Sequence, residues 1–167
     1  QQVVELNYHK FNAPDEILTV NVHPYLLKEY NRRWFLICAA ETDGKILNFG
    51  LERINNVNPL PAHKYVEYNG DINEIFEDIV GVTNYTEKEV LKILFWVSDV
   101  SKDYVTSKPL HDSQRYYRGD ADKTCRIQYP MLHGGSFFSI ECKENYELIR
   151  ELTSYGENLV VLSPRCI

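Results

Sequence analysis

Tyr30-Asn31-Arg32-Arg33-Trp34-Phe35-Leu36-Ile37-Cys38-Ala39 runs on to Asp43-Gly44 and then to Lys45-Ile46-Leu47-Asn48-Phe49-Gly50-Leu51. Asn31-Arg32 reads as a tight connection and Asp43-Gly44 as a hairpin turn, so residues 33–39 and 45–51 read as antiparallel strands. Working toward the N-terminus, Val4, Leu6 and Tyr8 alternate with polar neighbours, and so do Leu18, Val20 and Val22. That period of two belongs to half-buried strands. Phe11-Asn12-Ala13-Pro14-Asp15 supplies turn residues between them. Several short strands joined by short turns predict a small antiparallel barrel over residues 1–58, whose closure leaves no unpaired edge.

Pro59 and Pro61 mark a boundary, and residues 59–87 read as a linker. Within it Asp71 and Glu74 form a capping-box pattern, followed by Ile72, Ile75, Phe76, Ile79 and Val80 at helical spacing and by Gly81. This predicts an amphipathic helix with Asp71, Glu74, Glu77 and Asp78 on its solvated face. Residues 88–167 change rhythm. Residues 90–97 are strand-like, 98–108 helical up to Pro109, and 113–118 a short strand. Phe138, Ile140 and Cys142 share one strand face. Asn145 can cap a helix carrying Leu148, Ile149, Leu152 and Tyr155, ended by Gly156 before a last strand at 159–162. The order β-α-β-β-α-β predicts a ferredoxin-like domain, with an insertion at 120–135 that shows no clear period. The fold class is therefore α+β.

The chain has 167 residues, 44% hydrophobic and 25% charged, enough for a real core in one ordinary domain or two small ones. Its longest apolar runs, 34–40 and 93–97, fall far short of the roughly 20 residues that span a bilayer, so no membrane partner is expected. Residues 1–8 alternate in polarity and do not read as a signal peptide. Four scattered cysteines (Cys38, Cys125, Cys142 and Cys166) form no C-x-x-C pair and read as reduced thiols of a cytoplasmic protein. The net charge of -6 and pI near 5.4 argue against a duplex-DNA-reading module. Any anion must be held by a local cluster of positive charge.

Val22-His23-Pro24-Tyr25, Asn31-Arg32-Arg33-Trp34-Phe35-Leu36 and Phe49-Gly50-Leu51-Glu52-Arg53-Ile54 together resemble the WYL domain. Pro109-Leu110-His111, Ser113-Gln114 and Asn145-Tyr146-Glu147-Leu148 resemble the WCX extension that follows it in many regulators. The resemblance implies an Sm-like or SH3-like barrel in a bacterial transcriptional regulator, where the barrel senses a ligand and the extension serves dimer contacts. It implies a small anionic or nucleotide-like effector, with single-stranded nucleic acid as the alternative. It also implies a homodimer that reads duplex DNA through an N-terminal helix-turn-helix. The chain opens on strand-like sequence, so that helix-turn-helix is expected to lie outside it.

Within this frame the candidate ligand-binding residues are His23, Tyr25, Arg33, Phe35 and Arg53. A guanidinium offers a planar fork of donors suited to phosphate, and an adjacent ring offers a stacking surface for a base. The alternative for both arginines is pairing with surface carboxylates such as Glu29 or Glu52. For His23 it is a bond to a backbone carbonyl beside Pro24. Trp34 and Leu36 read as core. Phe35 replaces the family's tyrosine, and Leu47 stands where many relatives carry a basic residue, which shifts the expectation from polyanions toward smaller ligands. No catalytic motif, metal-ligand spacing or cofactor fingerprint is present. His133-Gly134-Gly135-Ser136 is superficially like an oxyanion loop, but no nucleophile elbow follows it.

Overall fold

The computed structural model describes residues 1–11 and 13–164, without the side chains of Pro14 and Asp15. Asn12 of the predicted turn and the thiol of Cys166 lie outside the described residues. The chain divides into two compact units, Gln1–Asn73 and Glu74–Ile167. The expected linker 59–87 is thus shared between them. Both units are built on antiparallel sheets with few helices, an α+β architecture.

The first unit is a five-stranded sheet of β1 (Val3–Lys10), β2 (Ala13–Tyr30), β3 (Arg33–Ala40), β4 (Ile46–Gly50) and β5 (Ile54–Leu60), in the order β4-β3-β2-β1-β5. The 18-residue β2 serves two partners in succession. It pairs with β1 up to Val22 and with β3 from Val22 onward. Pro24 is opposite Cys38 and Leu26 opposite Ile37, so Tyr25 is an extra residue in a bulge. A bulge bends the strand, and Pro24 lies beyond the β1 ladder, where a missing donor on that side costs no strand hydrogen bond. Leu6, Tyr8, Val22, Cys38 and Phe49 form the core of this unit, with Leu36 and Leu47 packed against it. Leu47 is therefore committed to packing.

The predicted closure is absent from the observed pairing. Among the described residues no ladder joins β4 to β5, which are connected by a 3-10 turn, Leu51–Arg53. Residues 55–59 of β5 are exposed, and its edge is guarded by Asn55, Asn56, Asn58 and Pro59 instead. The strand runs through Pro59 because an edge strand tolerates a missing donor.

The helix predicted from Asp71 to Gly81 is reduced to one 3-10 turn, Ile72–Phe76. Asp71 does cap it, its Oδ1 accepting from the Asn73 amide at 2.8 Å. The helix goes no further because tertiary partners take its carbonyls. Asn84 Nδ2 donates to Ile75 O, the Lys143 amide to Asp78 O, and Asn145 Nδ2 to both Val80 O and Thr83 O. Ile79, Val80 and Val82 are buried along this irregular segment.

The second sheet contains β6 (Val90–Val97), β7 (Arg115–Tyr116), β8 (Ser136–Lys143) and β9 (Leu159–Ser163), ordered β7-β8-β6-β9 and antiparallel throughout. One face carries Ile93, Phe95, Val97, Phe138, Ile140 and Cys142, packed with Val105 of α1 (Lys102–Ser107) and Leu148 and Leu152 of α3 (Tyr146–Ser154). The predicted cap is present: Asn145 Oδ1 accepts from the Leu148 amide at 2.8 Å. The insertion at 120–135 is not shapeless. It holds α2 (Asp120–Gln128), whose Cys125 packs with Trp96 and Phe137 on the opposite face of the sheet. Gly134 and Gly135 anchor the end of this insertion. Trp96 Nε1 and Arg126 Nη1 donate to Gly134 O, Arg126 Nη2 to Gly135 O, and the Gly135 amide to Asp99 Oδ2. Gly135 is left-handed (φ 60°), and a Cβ there would collide with Val97 O and the Trp96 ring.

Candidate functional site

The β2–β3 hairpin turns through Asn31 (φ 55°) and Arg32 (φ 65°), with Glu29 Oε1 accepting from the Arg32 amide at 2.6 Å. The register then fixes the faces. Tyr30 is opposite Arg33, Lys28 opposite Phe35, Leu26 opposite Ile37 and His23 opposite Ala39. Arg33, Phe35 and His23 therefore lie on one face, away from Leu36 and Cys38. Arg33 and Ala39 stand about 20 Å apart along β3 at roughly 3.3 Å per residue. The three residues thus form a line along the sheet and not a compact cluster.

At the hairpin end, Arg33 is exposed and pairs with Glu52, Nη1 to Oε1 3.4 Å. This is the carboxylate alternative, and between two exposed groups it is a weak, solvent-screened pair. Trp34 departs from its expected place in the core, being 53% exposed. It sits opposite Glu29, beyond Phe35 and Gly50, the last pair joining β3 to β4, so only β2 flanks it.

Arg53 turns to the other side of the sheet. Its guanidinium lies 4.8 Å from the ring centroid of Tyr8 and 4.3 Å from that of Phe11. Tyr8 belongs to the core and meets Phe49 edge-on, whereas Phe11 is 71% exposed. Burial pushes the Tyr8 hydroxyl above its ordinary pKa, with the nearby Arg53 charge acting in the opposite direction. Among the described residues Arg53 Nε is buried without a hydrogen-bond partner and Arg53 makes no ion pair. A guanidinium is a planar fork of donors whose geometry suits a phosphate or carboxylate. Arg33 and Arg53 consequently face different sides.

At the far end His23 faces away from Val22, yet it is buried, 5% exposed, because residues 61–68 cross over it. Its Nδ1 accepts from the Val66 amide at 3.3 Å, and Tyr65 Oη donates to Pro24 O at 2.8 Å. The carbonyl considered for His23 thus belongs to Tyr65. The Tyr65 ring meets His23 and Tyr25 edge-on, at centroid distances of 5.7 and 6.4 Å, and Tyr68 meets Tyr25 at 5.6 Å. Burial, then Tyr65, Cys38 and Tyr68, raise the pKa of Tyr25. Sequence reasoning missed Tyr8, Phe11, Tyr65 and Tyr68. The signal for the last two was Tyr65-Val66-Glu67-Tyr68, a patterned run inside what read as a linker. Among the described residues no three His, Cys, Asp or Glu side chains are grouped to hold a metal, and no helix is long and apolar enough to cross a membrane.

The family model of the WYL domain matches residues 1–59, which cover all but the last residue of the five-stranded sheet. Residues 1–59 are therefore similar to the WYL domain, and this likeness supports a regulatory-domain role. Among solved structures, the proteasome accessory factor B/C (PafBC) of Arthrobacter aurescens aligns with 99% of this chain at 13% identity and a TM-score of 0.37. The chain spans 22% of that chain's length. Comparison with curated proteins finds no match.

Proposed function

We propose that this chain is the effector-sensing region of a bacterial helix-turn-helix transcriptional regulator, binding a small anionic or nucleotide-like ligand at the WYL domain. We read the first sheet as the Sm/SH3-like barrel type and the second as the ferredoxin-like, WCX-type partner. No catalytic residue, cofactor or metal takes part in this reading, and the setting is the cytoplasm.

The observation that carries the reading is Arg53, held between Tyr8 and Phe11 with a buried, unpartnered Nε. A phosphate or carboxylate supplies the missing acceptor, and the exposed Phe11 ring is available to stack on a base. Arg33 adds positive charge on the opposite face. The test is thermal stabilisation by nucleoside monophosphates, dinucleotides and short single-stranded oligonucleotides. Binding of a small anion that is lost in Arg53→Ala supports the reading, and a preference for long single strands favours the nucleic-acid alternative. No stabilisation by any of them contradicts both.

A second reading, an interaction module acting as a homodimer, is favoured by the exposed edge of β9. There an apolar cavity of about 260 Å³ is lined by Ile149, Leu152, Thr153, Gly156, Leu159 and Val161. Because α2 covers one face of the sheet and α1 and α3 the other, pairing uses this edge and not an open face. A monomer at high concentration in light scattering contradicts it. The two readings are compatible, since an effector can act by shifting the geometry of a dimer.

A further inference from the structure

Residues 61–68 have no strand or helix assignment, and only Tyr65 and Tyr68 among them are part-buried. They form no ladder with the sheet they cross. The segment is tied down by side chains at three points: His63 Nδ1 to Glu41 Oε1 (2.7 Å), Tyr65 Oη to Pro24 O and the Val66 amide to His23 Nδ1. The opposite oxygen of Glu41 is held by Asn21 Nδ2 at 3.1 Å, which fixes the anchor from the β2 side. A segment fixed by a few part-exposed bonds, without a ladder, opens at far lower cost than the sheet beneath it.

The atoms that these ties consume are those of the His23–Tyr25 end of the site. His23 Nδ1 takes an N–H, the carbonyl of Pro24 takes an O–H, and an aromatic ring stands edge-on between His23 and Tyr25. We propose that residues 61–68 are a displaceable strap, in which Tyr65 and the Val66 amide stand in for an effector bearing an aromatic ring with N–H and O–H donors. Nucleosides have that chemistry. The inference rests on the effector-binding reading and adds a second place of binding, on the face opposite Arg53: the free chain occupies its own His23 end, and ligand and strap exclude one another there. The population of open strap then scales the apparent affinity.

Amide hydrogen exchange of the whole chain tests the strap without any ligand. Val66 is expected to exchange through local opening, roughly a hundredfold or more faster than the Leu6 and Ile37 amides. Tyr65→Phe and Glu41→Gln, which each remove one tie, are expected to speed Val66 exchange severalfold while leaving Leu6 and Ile37 unchanged. Exchange of Val66 at the rate of the sheet core overturns the strap, whatever the ligand experiments give. The second arm titrates the four ribonucleoside 5′-monophosphates into wild type and Tyr65→Ala. Tighter binding by roughly tenfold in Tyr65→Ala is the expected result. Unchanged or weaker binding in that variant, alongside fast Val66 exchange, overturns the competition. Absence of nucleotide binding in both proteins refutes the effector reading and with it the stand-in role, whereas the Val66 rates still decide whether the strap opens.

Discussion

Arg53 shows how a motif residue acquires meaning from its neighbours. The sequence placed a permanent cation after Leu51-Glu52, and the structure set it between Tyr8 and Phe11. Arg53→Lys keeps the charge and loses the planar fork and ring stacking. It is expected to reduce stability by about 1 kcal/mol in urea unfolding and to weaken anion binding further than a charge-only role allows. The cysteines give a second test. Burial pushes the thiols of Cys38 and Cys142 up to about 12 and raises that of Cys125 as well. All three are free and buried. Iodoacetamide at pH 8 is expected to leave them unmodified in the folded chain and to label them in urea, as read by mass spectrometry. Facing follows at this scale from a strand's period of two, which sets Arg33, Phe35 and Ile37 opposite Trp34 and Leu36. Exposure was not legible. Trp34 is apolar and His23 polar, yet the first is half in solvent and the second buried, because each depends on what lies across it.

Among the elements, the strands were read best. The predicted strand at 90–97 matches β6, and the cap at Asn145 was visible as a polar residue before an apolar helical pattern. The helix expected after Asp71 failed for a physical reason. Its apolar spacing was genuine, but Asn145 holds Val80 O and Thr83 O, and such distant acceptance leaves no local trace. Asn145 therefore joins the start of α3 to residues 80–83. Asn145→Ala removes one cap and two carbonyl partners in a buried setting and is expected to cost about 2–4 kcal/mol, above the usual effect of losing a cap. Calorimetry on Asn145→Ala beside Asn145→Asp separates the two roles, since Asp retains the acceptor for Leu148 but loses both donors. The helix α2 also escaped notice. Its trace lay elsewhere, in Leu94, Trp96 and Phe137, which make the second sheet apolar on both faces and call for a covering layer.

For the whole molecule, the α+β class and two antiparallel sheets were readable from rhythm and turn residues, while closure of the first sheet was inferred from strand count and is not in the pairing. Acid brings out the strap anchor. The hydrogen bond from His63 holds the Glu41 carboxyl below its ordinary pKa of 4.5, against the opposing effect of desolvation, and Asn21 adds to it. A carboxyl whose folded pKa is depressed stabilises the fold above its unfolded value, and that contribution is lost as pH falls through the lower folded value. The stability difference between wild type and Glu41→Gln is thus expected at pH 6 and is expected to vanish toward pH 3, measured by urea unfolding across that range. The central claim, that the first unit is an effector receptor, is tested most directly by amide chemical shifts of the full chain titrated with ribonucleoside 5′-monophosphates. The account predicts saturable shifts at Tyr8, Phe11 and Arg53, and separately at His23 and Val66 on the opposite face. Saturating nucleotide that moves none of these, or moves only residues 74–164, contradicts it.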